Sequence, residues 1–247
     1  MMDAIPGTAG KLFVVATPIG NLSDITYRAV ETLNAVDFIA AEDTRTSSIL
    51  LKHYEISKPM LSFHSYSGQG RTDEIIKRLE DGEEAALITD AGTPGVSDPG
   101  FGLVHAAVAA GITVVPIPGP SAFLAALSSS GLRTDRFVFE GFLPVKKGRQ
   151  TKLRELSVER RTVIFYESPH RIEKTLRDLL SSFGDRYCVI GREITKIHET
   201  LYRGSLSEMQ AAFKDGEKRG EFVIVVEGSS EEKRDKEKYR ETGVAEP

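Results

Sequence analysis

Three stretches dense in glycine, proline and small polar residues, "TPIGNLSD" (17–24), "TDAGTPGVSDPG" (89–100) and "PIPGPSA" (116–122), each follow an apolar run. Glycine lets backbone N–H and C=O groups come close to a ligand, and proline stiffens the turn that carries them. The chemistry that suits is the grip of backbone on a small molecule, although three independent tight turns would share the composition. None of the three is G-x-G-x-x-G or G-x-x-x-x-G-K-[ST], and none holds a lysine, which argues against a nucleoside triphosphate. Aspartates and carbonyls suit a cationic or zwitterionic ligand better. A second candidate is "GREITKIHE" (191–199), with Glu193, Lys196, His198 and Glu199 close together. Such groups can hold or move a proton. If the stretch is extended, Glu193 and Glu199 share one face and Lys196 and His198 the other. A surface strand of mixed charge is the plainer reading. The histidines (His53, His64, His105, His170 and His198) include no pair four apart, so no metal site is expected.

Something must bring the turns together. "KLFVVAT", "DFIAAED", "PMLSFHS", "EAALITD" and "ITVVPIP" read as strands, separated by helical runs such as "SDITYRAVETLNAV", "TRTSSILLKHY", "RTDEIIKRLEDG" and "FGLVHAAVAAG". That alternation predicts a largely parallel sheet covered by helices, with the three turns on one rim at the strands' carboxyl ends. After "GPSAFLAALSSSG" the strands crowd closer: "DRFVFEGFLP", "RTVIFYE", "RYCVIGRE", "ETLYRG" and "EFVIVVEG" predict a mixed sheet. The expectation is two α/β domains, 11–118 and 119–228, followed by a charged tail, 229–247, too poor in apolar residues to pack and so disordered.

The chain has 247 residues, 40% hydrophobic and 28% charged, enough for two cores. No apolar run is long enough to span a membrane, and "MMDAIPGTAGK" lacks the features of a signal peptide, so a cytoplasmic protein without membrane contact is expected. The single cysteine, Cys188, fits a reducing compartment and reads as an inert buried thiol. The net charge of −4 is unevenly spread: residues 1–119 carry −7 and residues 120–228 carry +4. Between positions 144 and 172 stand Lys146, Lys147, Arg149, Lys152, Arg154, Arg160, Arg161 and Arg171, against three glutamates. This is a candidate phosphate-binding surface, or a solvated basic face.

"VATPIGNLSDIT" (15–26), "AEDTR" (41–45), "TDAGTPGVSDPG" (89–100), "PIPGPSA" (116–122), "FVFEGFLP" (137–144), "FYESPHRI" (165–172), "GREITKIHET" (191–200) and "EFVIVVEG" (221–228) occur in that order. Together they resemble the tetrapyrrole methylase-like (class III) superfamily of S-adenosylmethionine enzymes. Within it they are similar to the bacterial 16S ribosomal RNA ribose 2′-O-methyltransferases that act on cytidine. The resemblance covers residues 11–228. It implies a homodimer, S-adenosyl-L-methionine in an interdomain cleft, and a cytidine near the decoding site of 16S ribosomal RNA, within the 30S subunit, as substrate. By position it implies cofactor contacts from Pro18, Asp90, Gly92, Thr93, Pro94, Val96, Ser97, Ser121, Ala122, Phe165, Tyr166, Gly220, Glu221 and Phe222.

Methyl transfer from a sulfonium needs an in-line acceptor and help with the 2′-hydroxyl proton, not a metal. Under the resemblance, Lys196 and Glu193 become the acceptor-side catalytic pair, with Lys196 either a base or a cation facing the developing alkoxide. The chain departs from the family after its third strand, where "HSYSGQ" keeps only His64 of a His-x-His-x-Glu-like cluster. Some members carry an extra basic carboxyl-terminal module, whereas the sequence here closes on a short mixed-charge tail, so RNA contact is expected from the body of the protein. Methylation of a porphyrin-like macrocycle, and a non-catalytic nucleotide-binding module on the ribosome, are the competing readings.

Overall fold

Runs of β-branched, alanine and leucine residues form five strands: β1 (Lys11–Val15), β2 (Phe38–Ala41), β3 (Met60–Ser62), β4 (Ala85–Ile88) and β5 (Thr113–Ile117). In the computed structural model, which describes residues 9–64, 67–215 and 219–230, they make one parallel sheet ordered β3-β2-β4-β1-β5. Between them lie α1 (Tyr27–Ala35), α2 (Thr44–His53), α3 (Gln69–Glu80) and α4 (Phe101–Ala109). Alternate strand residues feed two cores. Phe38, Ala40, Ala85 and Leu87 pack with Ile75 and Leu79 of α3 and Leu103 and Ala107 of α4. Ile39, Ala41, Ala86 and Ile88 pack with Ala29 and Leu33 of α1 and Leu51 of α2. Burial on both faces is why β2 and β4 read as continuous apolar runs.

This packing has a consequence at the centre of the sheet. β1 and β4 are hydrogen-bonded neighbours, yet the chain leaving β1 goes to the α1 face and the chain leaving β4 to the α4 face. That divergence is a topological switch point, where open α/β sheets bind ligands. The first helix starts later than the sequence suggests. A 3-10 turn, Leu22–Asp24, capped by the Asn21 side chain, precedes it, and the N-cap is Thr26, whose hydroxyl accepts from Ala29 N at 3.1 Å.

The chain divides after Ala122 into two compact units. The second contains β6 (Phe137–Phe142), β7 (Thr162–Glu167), β8 (Tyr187–Arg192), β9 (Thr200–Ser205) and β10 (Phe222–Val226), ordered β6-β7-β10-β8-β9. β6 and β7 pair in parallel and the rest antiparallel, so the sheet is mixed, as expected. Preceding β6 is α5 (Ala122–Ser130), and the sheet is covered by α6 (Arg149–Ser157), α7 (Ile172–Phe183) and α8 (Leu206–Asp215). Their core joins Leu153, Leu156, Leu176 and Leu179 to Val163, Phe165, Cys188, Ile190 and Ile224. Cys188 is fully buried, and burial pushes its thiol up to about 12.

The "GREITKIHE" stretch is not extended throughout. β8 ends at Arg192 and β9 begins at Thr200, and residues 193–199 form a folded turn with positive φ at Glu193 (51°) and Thr195 (68°). Backbone bonds from Lys196 N to Glu193 O (2.9 Å) and from Glu199 N to Lys196 O (3.1 Å) close it. Ile194 folds back over Gly191, where a Cβ would lie 2.6 Å from Ile194 Cδ1. Alternation therefore does not apply, and Glu193 and Lys196 meet rather than face apart. Apart from Ser229 and Ser230, the charged tail lies outside the described residues, as do Ser65 and Tyr66 of the "HSYSGQ" loop. No helix among the described residues is long and apolar enough to cross a membrane.

Candidate functional site

At the switch point the loops after β1 and β4 are tied together. Thr17 N donates to Gly92 O (2.9 Å) and Gly92 N to Thr17 O (3.0 Å), a two-bond bridge beyond the ends of the strands. The Thr17 hydroxyl, 1% exposed, donates to Thr89 O at 3.0 Å. The third turn is joined by Thr93 Oγ1, which donates to Pro120 O at 3.3 Å. Three turns that sequence could only place on one rim are thus one hydrogen-bonded assembly.

Backbone conformation explains the glycines. Gly92, Gly95 and Gly100 have φ of 85°, 83° and 145°, where a side chain is strained. A Cβ on Gly92 would enter a space bounded by Ile19 Cγ2 at 3.5 Å and Pro120 O at 4.0 Å. Ser97 takes φ 63° without being glycine, a strain that clusters at functional sites. Pro18, Gly92 and Pro94 are buried, Thr93, Val96, Ser121 and Ala122 half-buried, and Asp90 and Ser97 exposed. The buried Thr89 hydroxyl has no hydrogen-bond partner among the described residues.

The rim is acidic. Asp90 Oδ1 accepts from Asp43 N at 3.2 Å, and Asp90 N donates to Glu42 Oε2 at 3.4 Å. Burial raises the carboxyls of both Asp90 and Glu42, reinforced by the neighbouring acids. Hydrogen bonds from Arg45 hold Asp43 down to about 2. A cation seated here would relieve that crowding. Sequence reasoning missed Thr17, Glu42 and Thr89; Glu42 stood within "AEDTR" at the end of β2, where a rim residue belongs. Among the described residues no cluster could hold a metal ion.

In the second unit, pairing of β8 with β10 continues one step past the strands, with Glu193 N donating to Glu221 O at 3.0 Å. Glu193 Oε1 accepts from Glu221 N (2.8 Å) and from Lys196 Nζ (2.9 Å), and Lys196 also donates to Glu221 Oε2 (2.9 Å). Gly220, φ 103°, makes room: a Cβ there would lie 2.5 Å from Glu193 Cγ. Burial works to lower the Lys196 ammonium, but hydrogen bonds to Glu221 and Glu193 outweigh it and the net shift is upward. For Glu193 burial pushes up, and the bonds from Lys196 and from Glu221 N bring it below its ordinary value. Two of the three ammonium donors are used.

Other residues named from sequence fall differently. Phe165 and Phe222 point into the second core, so their side chains are out of a ligand's reach. Their register on the helix-facing side of β7 and β10 is the reason. The Tyr166 hydroxyl accepts from Phe123 N at 3.3 Å, and its ring meets Phe139 edge-on. Glu221 spends its carboxylate on Lys196. Of the basic set, Arg149 must be withdrawn from any phosphate-binding surface. It is 4% exposed and donates to Asp178 Oδ2 (2.8 Å), Thr175 Oγ1 (2.8 Å) and Pro144 O (3.2 Å). Arg171 pairs with the buried Glu167 at 2.8 Å, Lys152 with Glu140 at 3.1 Å and Arg161 with Glu159 at 2.7 Å. Lys146, Lys147, Arg154 and Arg160 are exposed.

The chain thus joins a parallel sheet, its switch-point loops tied together, to a mixed sheet. The family model for tetrapyrrole (corrin/porphyrin) methylases matches residues 11–210. Uroporphyrin-III C-methyltransferase from Thermus thermophilus has the same fold, with TM-score 0.64, 17% identity, and 88% of this chain and 94% of that one covered. A cobalt precorrin-4 methyltransferase of cobalamin biosynthesis superposes with TM-score 0.66 at 16% identity over 88% and 94% of the two chains. The chain belongs to the tetrapyrrole methylase family.

Nearer relatives narrow the branch. The ribosomal RNA small subunit methyltransferase I of Synechocystis sp. is 52% identical over 227 residues, 91% of this chain and 81% of that protein. The protein of the same name from Thermotoga maritima is 47% identical over 219 residues, 89% and 99% of the two chains.

Two substitutions test these placements. Gly92→Val puts a β-branched residue at φ 85° and fills the space beside Ile19, so calorimetry should find S-adenosylmethionine binding abolished in a folded protein. Arg149→Ala should instead cost about 3 kcal/mol of stability by leaving Asp178 and Thr175 without their donor. Denaturant unfolding reads that cost, and RNA affinity per folded molecule should not move.

Proposed function

We propose that this chain transfers a methyl group from S-adenosylmethionine to the ribose 2′-hydroxyl of a cytidine in 16S ribosomal RNA, near the decoding site. Relatives at 47–52% identity named for small-subunit ribosomal RNA support the substrate. The observation that carries the reading is the rim pinned by Thr17 and Gly92 at the switch between β1 and β4. When bound, S-adenosylmethionine supplies a methyl group on a positively charged sulfur. The residues present fit it. Gly92 leaves a space that a side chain would fill, the buried Thr89 hydroxyl has no partner among the described residues, and the acidic rim at Asp90 and Glu42 suits a cation. Pro18, Thr93, Pro94, Val96 and Ser97 would complete the hold, and a preformed loop loses little entropy on binding.

On the acceptor side, the geometry of Lys196 favours a cation over a base. Its ammonium is held by two carboxylates and its pKa lies above the ordinary lysine value, so at neutral pH it has no lone pair with which to take a proton. Its third N–H is the donor for the acceptor oxygen and stabilises the alkoxide left when the 2′-hydroxyl proton passes to water; the oxygen–methyl bond then forms as the methyl–sulfur bond breaks. Glu193 and Glu221 aim that donor. The working assembly we infer is a cytoplasmic homodimer acting on RNA within the 30S subunit.

Incubation with labelled S-adenosylmethionine and 30S subunits, naked 16S RNA or tetrapyrroles tests the reading. Label in the RNA ribose supports it, label in a macrocycle replaces it, and no transfer to any acceptor refutes catalysis. Lys196→Ala should bind the cofactor normally and lose roughly 10²-fold in kcat. Because the lysine pKa is raised, its charge persists past the ordinary lysine range and is lost only as pH climbs through the higher folded value. The wild-type rate should therefore show no lysine-dependent loss below neutrality. A loss there that Lys196→Ala abolishes would make the lysine a base.

A further inference from the structure

The other end of the second sheet carries a different concentration of charge. The chain enters β6 through Arg133 and Arg136 and enters β7 through Arg160 and Arg161. Parallel pairing sets Phe137 opposite Thr162, so the two entry segments lie side by side. Thr162 Oγ1 donates to Arg133 O at 2.6 Å and fixes them together. The chain leaving β10 closes the third side. Gly228 packs so tightly that a Cβ would sit 1.9 Å from Arg160 O, and Ser229 N donates to Glu159 O at 2.6 Å. These segments border a concavity of about 530 Å³ lined by all four arginines, with Asp135 and Glu227 as its acids.

The charge balance at this place is positive. Arg133 bonds Asp135 at 3.3 Å but keeps 86% of its side chain exposed. Arg161 is engaged by Glu159, and Arg136 and Arg160 are exposed. Bonded to the backbone of Glu227, which lines the concavity, is Arg186, 8% exposed, whose guanidinium donates to the carbonyls of Phe183, Glu227 and Ser157 and forms no salt bridge among the described residues. A buried cation whose hydrogen bonds go to carbonyls adds to the positive potential nearby. Guanidinium forks bordering an open groove suit the oxygens of phosphate, which they can grip bidentately as they do a carboxylate.

We infer that this groove is a second RNA anchor, in which Arg133, Arg136, Arg160 and Arg161 hold backbone phosphates of the substrate. The inference rests on the proposed function only in naming RNA as the polyanion. β10 separates the groove from the Glu193–Lys196–Glu221 cluster. Its five residues put the two roughly 17 Å apart at a strand's rise, so one bound RNA must extend over several nucleotides to use both. The anchor contributes affinity and register, and no base identity.

The test compares the wild type with R133A/R136A/R160A by filter binding to full-length 16S RNA transcript over a salt series. The triple variant should bind about 10-fold or more weakly, and the slope of log Kd against log salt should shrink by about 2 to 3. Its kcat at saturating RNA and its cofactor affinity should be unchanged, which also certifies its fold. The matching triple lysine variant should recover most of the slope, since charge rather than packing is at stake. An unaltered affinity and slope in the alanine variant overturn the anchor. A wild type that shows the arginine-dependent slope but methylates no ribosomal RNA keeps the anchor and sinks the proposed function. Methylation with an arginine-independent slope does the reverse.

Discussion

Two hydrogen bonds between Thr17 and Gly92 hold the arrangement on which the first unit's chemistry depends. β1 and β4 lie side by side, but their following helices cover opposite faces of the sheet, so the two loops are directed apart. Left to themselves they would open a polar crevice between strand ends. The bridge keeps them in register beyond the strands, and the Thr17 hydroxyl fastens the base to Thr89 O. With the glycines and prolines of 89–100 already set in positive-φ turns, the rim is shaped before any ligand arrives. That is how a twelve-residue connection, long for an α/β unit, comes to be rigid.

The second unit solves a related problem with charge. A short turn holds Glu193 and Thr195 at positive φ, a cost of about 1–3 kcal/mol each, which must be offset by what the turn makes possible. It makes possible a lysine with two carboxylate partners and one donor left. The Gly220 position is inseparable from it, because any side chain there would occupy the place of the Glu193 carboxylate. At Gly220, then, glycine is required by what stands beside it as much as by its own backbone angle.

Much of this was legible in the sequence. The order of strands and helices, the parallel first sheet and the mixed second one followed from hydrophobic periodicity, because each buried run was short and well punctuated. The Gly/Pro turns marked the three loops that hydrogen bonds join at the rim. What stayed hidden was set by tertiary contact. Alternation misread 193–199, since nothing local signals that Ile194 folds back over Gly191. Counting charges could not show that Arg149 is buried against Asp178, twenty-nine positions away, while Arg133 and Arg136, outside the densest basic run, stand beside Arg160 through strand pairing. Phe165 and Phe222 matched a motif, but strand register turns their rings into the core.

The central claim is that the rim is built in the free protein. Native-state hydrogen exchange at the amides of Thr17 and Gly92 measures this directly, because both N–H groups are donors in the bridge. Without ligand, the two amides should exchange as slowly as those of β1 and β4, and adding S-adenosylmethionine should slow them little further. Rapid, loop-like exchange that becomes slow only when the cofactor is added would show that the ligand builds the rim, and would contradict the account.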